Sequence, residues 1–353
     1  MRIVTLLAVL PLVGIVTVLP ATQPPPAHTE TVIVITLDGV RWQEVFGGVD
    51  PAIATAAGMR PDMMLSASEL MPNLHALAMM GATHGSPGTN PMLASGTPFS
   101  LPGYMEIFTG VRDVGCDAND CGPVTKRTFL DAARDRSMRD EDVAVFASWD
   151  RYERAVAAAP ERIVISSGRH GGGASRDKLT GQVRAMTDVV ALAGCEDVDL
   201  CGATGTPPGP PRCTATSRLE SSTEDYRPDA DTATIALAYF TTEHPLVLVV
   251  GLGDTDEYAH AGDYPSYLRA MREADGVIGT FRDAAPPYTS IIVTTDHGRG
   301  ALGARGWRYH GGSDLASARV WMVASGGAVE RTTDGGATHL AHIAPIIRTI
   351  LAL

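Results

Sequence analysis

Ten histidines and forty acidic side chains are spread over 353 residues, and a few stand where they could do chemistry. In TVIVITLDGVRWQEVFGG, Thr31 to Gly48, an apolar run from Val32 to Leu37 stops on one carboxylate, Asp38, followed by Gly39. A carboxylate there is either a turn residue or a ligand at the carboxyl end of a central parallel strand, where open α/β sheets keep their sites. VLVVGLGDTDEYAHAGDY repeats the pattern. Its apolar run ends near Gly251, and Asp256 and His260 follow at i, i+4. That spacing puts carboxylate and imidazole on one helical face, which suits a shared metal, with Asp254 as a rival ligand from the same loop. In IIVTTDHGRG the run enters Asp296 and His297, and Gly298 permits the turn that aims both at one ion. His310, in WRYHGGSD, is a loop residue if taken alone. Three carboxylates and three imidazoles together suit zinc, with manganese or iron as alternatives. Six such ligands beside a nucleophile suffice for two divalent ions roughly 4 Å apart.

The nucleophile candidate is Ser100, in SGTPFSLPGYMEIFTG, ahead of Pro102-Gly103 and an apolar helix. A hydroxyl at a helix start lies near free backbone N–H groups and the positive dipole end, a place suited to phosphate. The plain alternative is that Ser100 is an N-cap. A bound cation would lower its pKa, which a cap does not require. Neither G-x-S-x-G nor G-x-x-x-x-G-K-[ST] occurs, so a serine-hydrolase elbow and a P-loop find no support.

These residues need elements to hold them. Short runs rich in Val and Ile predict strands over 31–37, 142–147, 162–166, 245–251, 290–295 and 320–324. Helical patterns fall between them, over 71–80, 100–108, 128–135, 178–193, 231–242, 264–284 and 339–353. Such alternation predicts an α/β fold, a mostly parallel central sheet with helices on both faces. Two segments depart from it, 47–70 and 195–228. The second is Pro-, Gly- and Ser-rich and reads as a surface insertion near the site, pinned by cysteines. One domain over 28–353 follows, with that insertion.

The formal net charge of -12 argues against a nucleic-acid-binding surface and means that an anionic substrate needs local cations to attract it. Arg2 followed by the apolar run Ile3 to Leu19 and the Pro-rich PATQPPPAHTE reads as a signal peptide and linker over 1–27. The chain is thus expected to be exported, periplasmic or extracellular; an uncleaved segment would tether it to a membrane. Cys116 with Cys121, and Cys195 with Cys201 near Cys213, fit short-range disulfides in an oxidising compartment.

The order Asp38 at a strand end, Ser100 with Pro102, Asp256-x-x-x-His260, Asp296-His297 and His310 resembles the alkaline phosphatase superfamily, nearest its nucleotide pyrophosphatase/phosphodiesterase-like branch. MPNLHALAMMGATH, Met71 to His84, is similar to that superfamily's early helix. The resemblance implies a two-zinc hydrolase of a small-molecule phosphate mono- or diester, acting through a phosphoserine on Ser100. It implies one metal on Asp38, Asp296, His297 and the Ser100 oxygen, and another on Asp256, His260 and His310. The branch usually has Thr as nucleophile and an Asn some twenty residues on; Asn119 in CDAND stands near that distance and is the candidate phosphate contact. The sulfatase pattern needs Arg after x-Pro-x, and Ser100-Leu101-Pro102-Gly103-Tyr104 lacks it. Alternatives are a sulfatase, phosphonate hydrolase or phosphomutase on the same scaffold, or an exported metal-binding protein without activity. His339 and His342 are rivals to His310 as last ligand.

Overall fold

Six of the seven side chains in Thr31–Leu37 are branched at Cβ, which favours extended backbone, and this segment is strand β1 at the centre of the molecule. The computed structural model describes residues 30–169, 178–179, 181, 183–187, 226–301, 306–312, 314–332 and 336–353. The other strands are β2 (Ala82–His84), β3 (Met92–Leu93), β4 (Val143–Ala147), β5 (Val164–Ser167), β6 (Val247–Leu252), β7 (Thr289–Thr294), β8 (Arg319–Val320) and β9 (Met322–Gly326). Seven of them form one sheet in the order β2-β9-β7-β1-β6-β4-β5. The five from β7 to β5 are mutually parallel, β9 is antiparallel to β7, and β2 is antiparallel to β9. β3 and β8 pair apart as a small ribbon.

The helices are α1 (Trp42–Gly47), α2 (Pro51–Ala56), α3 (Ala67–Leu70), α4 (Pro72–Met80), α5 (Ser100–Thr109), α6 (Phe129–Arg136), α7 (Glu153–Val156), α8 (Asp229–Glu243), α9 (Asp254–Ala261), α10 (Tyr264–Ala284) and α11 (Ile343–Ile350). Alternation along β1 divides them into two layers. Ile33, Ile35 and Leu37 bury against α4, α8 and α10, whereas Val32 and Val34 bury against α5, α6 and α11. A sheet covered on both faces explains why its strands read as continuous apolar runs.

The register brings three strand ends to one row. Leu37 pairs with Leu252 of β6, Thr36 pairs with Thr294 of β7, and the Asp38 N–H donates to the Leu252 carbonyl at 2.9 Å. The segment 47–70, expected as a long loop, folds into α2, α3 and a 3₁₀ turn at Pro61–Met63, because Asp50 caps α2 and Ser66 with Glu69 forms a capping box on α3. The strand expected over 320–324 is broken at Trp321 into β8 and β9. The terminal helix starts at Ile343, after a 3₁₀ turn over Leu340–His342. The export segment, half of the helix expected over 178–193, and residues 195–225 of the insertion, with Cys195, Cys201 and Cys213, lie outside the described residues. Among the described residues, Cys116 and Cys121 form a disulfide, and no helix is long and apolar enough to cross a membrane.

Candidate metal centre

The acids come from three neighbouring strand ends. Asp38 leaves β1 and is only 5% exposed. Gly39 then turns the chain at φ +60°, and its N–H donates to Asp296 Oδ1 at 3.1 Å. Thr255, in the first turn of the helix α9 that follows β6, donates its hydroxyl to the Asp38 carbonyl at 2.6 Å. Asp296 and His297 follow β7 and are completely buried. The other oxygen of Asp296, Oδ2, accepts no hydrogen bond. A buried carboxylate oxygen without a donor is costly and calls for a cation.

Two imidazoles are held in one tautomer by backbone carbonyls. His297 Nδ1–H donates to Gly298 O and His310 Nδ1–H to Pro98 O, each at 2.9 Å. A carbonyl only accepts, so both Nε2 atoms carry lone pairs, and these face the acids. The two rings stack 3.8 Å apart at 13°. His297 Nε2 lies 3.3 Å from Asp38 Oδ1, 3.5 Å from Asp296 Oδ2 and 3.9 Å from Asp256 Oδ1. On α9, the i, i+4 spacing sets His260 Nε2 3.2 Å from Asp256 Oδ2, and it reaches His310 Nε2 at 3.0 Å. Ligand atoms on one tetrahedral zinc with bonds of about 2.0–2.1 Å stand about 3.3 Å apart. Asp38, Asp296 and His297 form one group able to hold a metal ion, and Asp256, His297 and His310 a second, so His297 sits between the two positions.

Ser100 is not the helix cap. Phe99 occupies that position, and Ser100 is the first residue of α5, 4% exposed, with its Oγ 3.3 Å from His297 Nε2 and 3.5 Å from Asp38 Oδ1. The approach of α5 depends on Gly103, where a Cβ would fall well inside contact distance of the Asp296 carbonyl. One turn after Ser100, Tyr104 donates its hydroxyl to Asp38 Oδ2 at 2.7 Å. Asn119 comes beside the helix start, accepting the Leu101 N–H on Oδ1 at 2.9 Å. The disulfide of Cys116 with Cys121 brackets it.

The electrostatics are those of a cluster built for cations. Burial, then the neighbouring Asp256, pushes Asp38 up to about 7. Burial and Asp38 push Asp296 well above the ordinary carboxylate range. Burial holds His297 down to about 4 and, with His297 beside it, His310 down to about 3, so both imidazoles are neutral near pH 7. Burial also works against charge on Asp256, yet the Arg299 guanidinium and then His260 hold it well below the usual range. The acid-imidazole set, its fixed tautomers and the orphaned Asp296 oxygen fit divalent metal ions.

All eight residues singled out in the sequence therefore meet here: Asp38, Ser100, Asn119, Asp256, His260, Asp296, His297 and His310. The rivals go elsewhere. Asp254 accepts from the Tyr226 hydroxyl at 2.7 Å; His339 contacts Arg112 at 2.8 Å and Ser95 at 3.1 Å; His342 accepts the Thr338 N–H at 3.0 Å. Two further residues belong to the centre, Tyr104 and Arg299. The first was detectable from its i, i+4 spacing to Ser100; nothing in the DHGRG string aims the second inward.

Residues 216–351 match the family described as the Metalloenzyme superfamily. No curated protein matches the chain. Solved structures share its fold. The phosphonate monoester hydrolase of Agrobacterium radiobacter superposes with a TM-score of 0.51 at 15% identity, over 92% of this chain and 74% of that one. Murine ectonucleotide pyrophosphatase/phosphodiesterase 5, an inactive form in complex with AMP, gives 0.51 at 12% identity, over 92% and 95%. A 2-O GAG sulfatase gives 0.54 at 11% identity, over 92% and 71%. The likeness to these structures is one of fold.

Proposed function

We propose that this chain is an exported two-metal hydrolase of phosphate mono- or diesters, working through a phosphoserine on Ser100, with zinc as the first choice of metal. The observation that carries the reading is the Ser100 hydroxyl, buried at the start of α5 within 3.5 Å of both Asp38 Oδ1 and His297 Nε2. Asp38, Asp296 and His297 would hold one ion, and Asp256, His260 and His310 the other. Such ions lower the pKa of a hydroxyl and take up charge on phosphoryl and leaving oxygens.

The chain's own residues do the rest. Ser100 Oγ passes its proton to solvent and bonds to phosphorus as the alcohol oxygen leaves and takes a proton from solvent. Water then cleaves the Oγ–P bond and restores the hydroxyl. In the first turn of α5 the Leu101 N–H is spent on Asn119, Pro102 has none and the Gly103 N–H donates to the Phe99 carbonyl, so it is the positive dipole end of the helix that favours an incoming anion. Asn119 spends Oδ1 on the Leu101 N–H, so its amide N–H pair is the part left to meet a phosphate oxygen. Burial around Asp38, Asp296 and His297 excludes bulk water and strengthens each of these interactions. Export is supported by Arg2 with its apolar run and by the Cys116–Cys121 disulfide.

The test is Ser100→Ala, assayed on p-nitrophenyl phosphate, its bis ester and p-nitrophenyl sulfate, with and without chelator. The wild type is expected to cleave a phosphate ester in a chelator-sensitive way, and the variant to keep its fold and metal while losing turnover. Ordinary phosphate-ester hydrolysis by Ser100→Ala overturns the nucleophile. Cleavage of the sulfate alone moves the substrate class, and no cleavage at all leaves a metal-binding protein.

A further inference from the structure

Resting on the two-metal reading above, we infer that Arg299 makes the two metal positions unequal, so that one ion is held tightly and the other exchanges. Arg299 is 1% exposed and reaches into the centre from the chain just after His297. Its Nη2 pairs with Asp256 Oδ1, and its Nε donates to the Gly39 carbonyl at 3.0 Å.

The arrangement is built, because Gly39 is shaped around it. A Cβ at residue 39 would stand 2.5 Å from Arg299 Nη2 and 2.8 Å from Asp256 Oδ1, and the φ of +60° already disfavours any other residue. The turn that delivers Asp38 therefore also leaves the slot through which the guanidinium meets Asp256. Its pairing and burial set it apart from a solvated surface arginine.

Charge then separates the positions. Asp38 and Asp296 bring two negative charges to the first once an ion has displaced the protons that burial favours on them; among the described residues no Lys or Arg pairs with either carboxylate, and His297 beside them is neutral. At the second, the single negative charge of Asp256 is matched by Arg299, and His260 and His310 add dipoles alone when neutral. One Asp256 oxygen is also spent on the guanidinium, which leaves Oδ2 facing His260. Once the protons on Asp38 and Asp296 are displaced, a divalent ion sits among ligands of net charge -2 at the first position and near 0 at the second. In a centre this dry, that difference decides affinity.

The experiment is a zinc titration of the chelator-stripped full chain against a chromophoric chelator, on wild type, Arg299→Met and Arg299→Lys. Wild type is expected to take two equivalents with affinities at least about 100-fold apart. Arg299→Met removes the charge and keeps the stem; it should tighten the weak equivalent by about tenfold or more and move the tight one much less, because the guanidinium pairs directly with Asp256 and acts on Asp38 only from further off. Arg299→Lys, which retains the charge, should keep the separation. Asp296→Asn should cost the tight equivalent and Asp256→Asn the weak one. Two equal affinities in wild type, or a weak site unmoved in a folded Arg299→Met protein, overturn the inference. Ester cleavage is not read in this titration. Unequal sites in a protein that cleaves no ester would refute the proposed function alone, and equal sites in an active one would refute this inference alone.

Discussion

Tyr104→Phe deletes one hydroxyl from the centre and leaves the ring. The phenol donates to Asp38 Oδ2 at 2.7 Å, while Asp38 Oδ1 faces His297 and Ser100. Burial and the adjacent carboxylates push the Tyr104 hydroxyl far above its ordinary range, so it remains a donor at every working pH. Its ring lies 4.3 Å from that of Tyr152, a contact that Phe retains, and the fold should survive. What is lost is a hydrogen bond to a charged group, worth about 1.5–3 kcal/mol. Partners that orient a ligating side chain are worth about 10–100-fold in metal affinity, and about 1.4 kcal/mol corresponds to tenfold, so the two scales agree. The pH dependence has a definite sign. The phenol lowers the Asp38 pKa, so its removal lifts Asp38 above about 7 and makes protons compete harder with the metal. The loss of affinity should then be larger at pH 6 than at pH 9. Chelator-competition titrations across that range are the assay. An affinity within twofold of wild type, or a deficit that grows as pH rises, refutes the assignment of Tyr104 as the group that holds Asp38.

Metal affinity of the wild type should fall as pH drops through the region near 7, because Asp38 regains its proton there, whereas His297 and His310 stay neutral until about 4 and about 3; the same titration checks this, and a fall confined to below pH 5 contradicts it. Gly103→Ala should force α5 off the Asp296 turn, costing about 1–3 kcal/mol as an overpacked core contact does. Urea denaturation reads that cost, and a fall in turnover larger than the fall in metal content would show Ser100 displaced from its ligands.

Much of the centre was legible because it is local. An apolar run rich in branched residues predicts a strand, and the polar residue that ends it is placed by that end alone; Asp38 and Asp296 were found this way. Asp256 and His260 share a helical face by arithmetic, and α9 is helical over that stretch. Ser100 was visible as a hydroxyl at a helix start, but its reading as a cap was open until the chain entered α5 from Phe99. Adjacent residues compete for the cap on geometry that composition does not encode.

By itself the sequence determined the class of fold, the parallel core and the chemistry of the donor set, since these follow from hydrophobic period and from which side chains can bind cations. Only the tertiary structure decided how the donors combine. It put β7, β1 and β6 side by side, so that acids more than two hundred residues apart face each other. It fixed the tautomers of His297 and His310 through backbone carbonyls, hung Asp38 from Tyr104, and turned Arg299 onto Asp256 beneath Gly39. The physical reason is that these contacts cross elements. Their energies depend on register and burial, which exist only once the sheet has closed over its helices.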